Sequence, residues 1–171
     1  GNPVSLADKD KIADAKAAYE ALTEVQKGMV DSAKVTAMKE ADATYNNLVK
    51  IAEVEALIEA IPANVTLADK AKIDEAKAAY DALGDLKDSV DTAKVGKLTT
   101  AETTYKKLEE AEKKKDTDQK AATVVINQIK AIGTVTTGSK AKIEAAEKAY
   151  SALTAEQKKL VTNYNVLTAA R

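Results

Sequence analysis

The sequence predicts an all-α chain built from tandem three-helix bundles joined by long shared helices into an elongated rod. Three observations carry that expectation: an internal repeat, a helical spacing of apolar residues within each copy, and long stretches free of Pro and Gly. Leu6–Leu22 (LADKDKIADAKAAYEAL) and Leu67–Leu83 (LADKAKIDEAKAAYDAL) agree at 13 of 17 positions, at an offset of 61 residues. That agreement is too dense for compositional coincidence. A third, more divergent copy runs from Thr137 to Leu153 (TGSKAKIEAAEKAYSAL), a further 70 residues along. A period of this size is a supersecondary unit repeated along a line.

Each copy opens with a helix. Ile12, Ala15, Tyr19 and Leu22 step by three, four and three, and so do Ile73, Ala76, Tyr80 and Leu83, and Ile143, Ala146, Tyr150 and Leu153. Such spacing lays one apolar stripe down a helix whose remaining faces carry Lys, Asp and Glu. Ser5 with Asp8, and Thr66 with Asp69, are Ser/Thr-x-x-Asp pairs placed to satisfy first-turn amides. The third copy has Ser139 where the acid should be, so its start is the least well marked. Short apolar stretches at Val25–Val30 and Leu160–Val161 are expected to form a helical turn leading to the next element. The second copy replaces the Thr-x-x-Gln-Lys sequence of that turn with Gly84-Asp85-Leu86-Lys87, which leaves its geometry open.

The second long element follows. Val35, Met38, Ala41, Tyr45 and Leu48 match Val95, Leu98, Ala101, Tyr105 and Leu108 at an offset of 60. From Ser32 to Ile61 there is neither Pro nor Gly, so one helix of roughly 45 Å is predicted. Its stripe changes phase midway, from 38/41/45/48 to 51/54/58/61, as a helix would that leaves one bundle and enters the next. Pro62 and Gly133 mark where such helices stop.

At the second junction Tyr105 and Ile132 lie 27 residues apart, against 16 between Tyr45 and Ile61. The 11 extra residues are about three helical turns and return the side chains to nearly the same angle, which favours a continuous helix. Glu109–Lys120 (EEAEKKKDTDQK) is polar all round, as a solvated linker helix would be. Asp116 and Gln119 are also placed to cap a fresh start, which would make the stretch a hinge. By this division residues 1–49 are a partial first repeat lacking its leading helix. Residues 50–110 are a complete one, and 111–171 are a third repeat with the linker insertion, truncated at its C-terminus.

Composition excludes several functions. Cys and His are absent, which removes disulfides, thiolate nucleophiles, Cys/His metal sites and imidazole acid–base chemistry. No catalytic, cofactor-binding or metal-ligating residue is assigned, and the chain is expected not to be an enzyme. The 26 basic and 27 acidic residues are interleaved, so neither a nucleic-acid footprint nor a basic face for anionic lipid is present. No apolar run is long enough to insert in a membrane. A start at Gly1 without Met is expected of a segment cut from a longer chain.

Several residues invite chemistry and have plainer readings. Tyr19, Tyr45, Tyr80, Tyr105 and Tyr150 could platform a sugar ring, but they occupy stripe positions and read as core. Tyr164 alone has no counterpart, Ala33 standing in its place in the first copy, and it is the one weak partner-contact candidate. Asp8/Asp10 and Asp116/Asp118 read as solvated charge, the latter lacking the Gly and final Glu of a calcium loop. Asn64-Val65-Thr66 matches a glycosylation sequon that neither other copy repeats. Ala18, Ala79 and Ala149 widen the smooth face and could admit a second chain, although close packing within one bundle is the simpler use.

The segments IPANVTLADKAKIDEAKAAYDAL (Ile61–Leu83) and AYSALTAEQKKLVTNYNVL (Ala149–Leu167) resemble helical repeats of multimodular extracellular proteins of Gram-positive bacteria. Those repeats lie beside Ig-like, S-layer-homology or carbohydrate-active modules. The resemblance implies a secreted, cell-surface location and a spacer or stalk role among neighbouring modules of the same parent chain. It brings no catalytic set. The alternative is a surface binding module that recognises a host protein or cell-wall glycan through a helix face.

Overall fold

The computed structural model describes residues 3–171, so the Gly1 start lies outside the described residues. The chain is all-α, with no strand among those residues. In chain order the helices are α1 (Lys9–Glu20), α2 (Glu24–Lys27), α3 (Ser32–Glu59), α4 (Lys70–Ala82), α5 (Thr92–Lys130), α6 (Lys140–Ala152), α7 (Ala155–Lys159) and α8 (Tyr164–Ala169). Short 3-10 turns at Leu6–Asp8, Leu67–Asp69 and Thr137–Ser139 lead into α1, α4 and α6. Two compact units result, one ending at Tyr105 and the other beginning at Lys106.

The helix starts follow from their side chains. Ser5 donates from N and Oγ to one carboxylate oxygen of Asp8, at 3.0 and 2.8 Å. Thr66 does the same to Asp69 at 2.9 and 2.7 Å. The third copy, expected to be poorly marked, makes the equivalent arrangement: Thr136 N–H donates to the Ser139 hydroxyl at 3.0 Å. A hydroxyl oxygen accepts an amide hydrogen as a carboxylate does, so the loss of the acid removes charge and keeps the geometry. Asp31 and Asp91 open α3 and α5 by accepting from Ala33 N–H at 2.8 Å and Ala93 N–H at 2.7 Å.

In the first unit α3 has two uses. Its N-terminal half carries half-buried Val35, Met38, Ala41, Tyr45 and Leu48 and lies along α1, where Lys16 pairs with Asp42 at 2.7 Å. Its C-terminal half turns Ile51, Val54 and Ile58 into a core completed by Ile73 and Ala76 of α4 and Leu98 and Ala101 of α5. The helix ends at Glu59, two residues short of the predicted Ile61, ahead of Pro62. Pro has no N–H to continue the ladder.

The turn between α4 and α5 departs from the other two copies. Thr23 and Thr154 each cap a single helical turn by exchanging hydrogen bonds with Gln26 and Gln157. The middle copy forms a 3-10 stretch, Gly84–Ser89, and Gly84 has φ +57°, a conformation open to Gly and strained for other residues.

In the second unit Ala122, Val125, Ile129 and Ile132 meet Ala146 of α6, Val161, Leu167 of α8 and Ala170. Gln157 donates to Asp118 at 2.9 Å and Asn163 to the Ile126 carbonyl at 3.0 Å, which holds the α7–α8 segment on α5. Gly133, at φ +62°, turns the chain out of α5 where Pro62 does so after α3. The polar 109–120 stretch is helical throughout, within α5, so no helix break falls at Asp116.

Candidate functional site

The five repeated tyrosines are half-buried, and Tyr80, Tyr105 and Tyr150 lie against the two cores. Four of them have a Lys ammonium over the ring: Lys70, from the start of α4, lies over Tyr105 at 5.9 Å, and the other three share a feature that the sequence spacing does not announce. The ammonium of Lys27 sits over the Tyr19 ring at 5.9 Å, that of Lys87 over Tyr80 at 5.2 Å, and that of Lys158 over Tyr150 at 5.5 Å. Each Lys comes from the turn after the Tyr helix, so the contact staples turn to helix in all three copies. The Lys of the Gln-Lys dipeptide and Lys87 were the available signal. These rings are engaged by the protein itself rather than offered to a ligand.

Tyr164, the sequence candidate, is 39% exposed, and its ring stacks on Tyr150 with centroids 4.1 Å apart and planes 16° from parallel. Beside the pair, Arg171 bonds Glu147, and the Glu147 carboxylate raises the guanidinium pKa. The recess that these four side chains help to line is about 40 Å³. Pockets that enclose a small ligand run to about 300 Å³ and more, so this one is too small to enclose a sugar ring. Tyr164 therefore joins α8 to α6 through its stacked face, and only its remaining surface is open to a partner.

The acidic pairs do not converge. Asp8 is spent on the Ser5 cap; its carboxyl is lowered to about 2, chiefly by the Ser5 hydroxyl and then by Lys11. Asp116 pairs with Lys120 at 2.6 Å, whereas Asp118 bonds Lys114 and Gln157, which hold its carboxyl below the usual range. A carboxylate so stabilised is a poor proton acceptor near neutrality. Among the described residues no group of three or more His, Cys, Asp or Glu is placed to hold a metal ion. Lys113 and Lys115 pair with Glu109 and Glu112 at 3.3 and 3.7 Å, which breaks up the short basic run. The sequon threonine, Thr66, serves the α4 cap. No described helix is long and apolar enough to cross a membrane.

The alanines beside the tyrosines divide. Ala79 and Ala149 lie against the cores of their units, and Ala18 is exposed.

A larger concave surface lies on the first repeat. Val4, Ile12, Ala15, Met38 and Ala41 line a groove of about 430 Å³, with Asp8 and Lys11 at its rim. Its walls are the stripe of α1 and the N-terminal stripe of α3. Nothing marks these residues as special in the sequence, since they are the same residue types that build the closed cores elsewhere.

No protein-family model matches the chain, nor does any curated protein or solved structure.

Proposed function

We propose that the chain is a non-catalytic spacer: tandem three-helix bundles sharing long helices, drawn out into a rod within a secreted or cell-surface bacterial protein. The observation that carries this reading is α3, whose two halves serve two successive repeats with two different apolar stripes. A helix used in that way resists bending at the junction, where a Gly/Ser linker would leave a flexible coil. The all-polar 109–120 stretch is helical too, which suits the same role at the next junction. The surface location rests on the resemblance of Ile61–Leu83 and Ala149–Leu167 to Gram-positive extracellular repeats. Small-angle scattering tests the rod. A radius of gyration of about 16 Å, that of a compact globule of this length, overturns it; a clearly larger one supports it.

A second reading, a surface binding module, is favoured by the open groove of the first repeat. Its test is a pull-down with the immobilised chain against Gram-positive cell wall, host serum and mucosal glycoproteins. A saturable partner, lost on mutation of one helix face, would promote it over the spacer.

A further inference from the structure

The groove of the first repeat has two closed counterparts in the same chain, and they say what fits it. In the middle repeat the α4 stripe is covered by the C-terminal half of α3 through Ile51, Val54 and Ile58, with Ile61 just beyond its end. In the third, the α6 stripe is covered by the end of α5 through Ala122, Val125 and Ile129, with Ile132 following. Both covering segments have apolar residues at the same 3-4-3 spacing. Under them Ala76 and Ala146 are both 0% exposed, and Leu98 and Ala101 are 2% and 3% exposed. The first repeat covers its matching residues only in part: Ile12 is buried against α3 at 9% exposure, whereas Ala15 is exposed and Met38 and Ala41 are half-exposed.

We propose that this groove docks an amphipathic helix of the pattern Ile-x2-Val-Glu-x2-Ile-x2-Ile supplied by another polypeptide segment. The glutamate is part of the pattern for a specific reason. In the middle repeat Glu55, next to Val54, accepts from the Asp91 N–H at 3.0 Å and pairs with Lys94 at 3.3 Å. Asp31 and Lys34 hold the equivalent places in the first repeat, and Lys34 has no carboxylate partner among the described residues. The α5 cover carries Ile126 where α3 carries Glu55, so it fits the first repeat less well. A second folded copy of this chain is a poor occupant, because its own two helices of this kind are already buried in their cores. The mode is helix-in-groove recognition, read by i, i+3, i+7 and i+10 anchors.

The inference rests on the reading that one helix closes the core of each repeat. Its test uses a fluorescein-labelled peptide of residues 48–63 titrated with the full chain and followed by anisotropy. Saturable binding is expected. Ala15→Arg, at an exposed position that leaves the fold unchanged by circular dichroism, should weaken it by about tenfold or more through the bulk set into the groove. Glu55→Gln in the peptide should weaken it to a smaller extent, and a 119–134 peptide should compete poorly.

Three results overturn the proposal. One is no saturable binding. Another is binding indifferent to Ala15→Arg, which would mean that the peptide has exchanged with α3 in the middle core. The last is a chain that sediments as a dimer and becomes monomeric on Ala15→Arg, which would make a second copy the occupant. Scattering judges the spacer on its own, so an extended chain that binds no peptide keeps that reading and loses this one.

Discussion

The first and middle repeats carry nearly the same helix, yet its stripe meets two different fates. Ile12, Ala15, Tyr19 and Leu22 repeat as Ile73, Ala76, Tyr80 and Leu83; α3 buries Ile12 in the first set, but only the second set is enclosed from a further side, by the C-terminal half of α3 as well as by α5. Ala76 is fully buried and Ala15 is exposed. The difference teaches that helical spacing identifies which face is apolar, whereas burial depends on what another segment lays over it. Identical residues can therefore have unequal energetic weight within one molecule.

The largest expected effect breaks that comparison most directly. Ala76→Asp places an unpaired charge in a closed core and should cost about 4 kcal/mol or more of unfolding free energy. Ala15→Asp, on the open face, should stay within about 0.5 kcal/mol. Urea unfolding of the two variants decides it, and equal losses would mean that the first repeat is closed after all. A milder pair follows. Ile73→Ala should cost about 2–5 kcal/mol as a core truncation. Ile12→Ala, at the edge of the groove, should cost about 1–2 kcal/mol, because its surroundings can relax and water already reaches them. A neutral Ile73→Ala would show the stripe to be misassigned.

The helices themselves were largely legible in the sequence, because each is marked at several levels at once. The α4 start is written in Thr66 and Asp69, its buried face in Ile73, Ala76 and Leu83, and its approach in Pro62. The α3 helix was legible from its lack of Pro and Gly, and its change of stripe from the two residue series. The third cap was less so, since Ser139 replaces a carboxylate and only geometry shows that a hydroxyl serves equally. What no spacing could show were contacts set by side-chain direction: Lys27, Lys87 and Lys158 over their tyrosines, and Tyr164 stacked on Tyr150. The groove was invisible for another reason. Its residues are ordinary core residues, and only the placement of neighbouring helices reveals that they are open.

A smaller contrast concerns the turns. Gly84 holds φ +57° in the middle repeat, so Gly84→Ala should cost about 1–2 kcal/mol by forcing a Cβ into the left-handed region. Gly28, in the matching turn of the first repeat, has φ −65°, and an added Cβ would meet the Val25 carbonyl only at ordinary contact distance. Gly28→Ala should be close to neutral or slightly stabilising through the unfolded chain. Thermal melts of the two variants test this, and a loss at Gly28 as large as at Gly84 would refute it.

The smallest effect separates the caps by pH. The Asp8 carboxyl is lowered to about 2 and that of Asp69 is lowered as well, each by its Ser or Thr partner first. A group whose folded pKa lies below its unfolded value contributes stability that is full above the unfolded value, near about 3.9, and is lost as the pH falls through the folded one. The caps of α1 and α4 should therefore weaken below about pH 4, with that of α1 fading as the pH approaches 2. The α6 cap uses Ser139, which does not titrate, so its Thr136 amide has no such dependence. Amide proton shifts followed from about pH 6 to about pH 2 should show Ser5 and Thr66 moving as their acids protonate while Thr136 stays flat. A Thr136 amide that moves in step with Thr66 would mean that the acid range loosens the helix starts together, rather than through the two carboxylates that cap them.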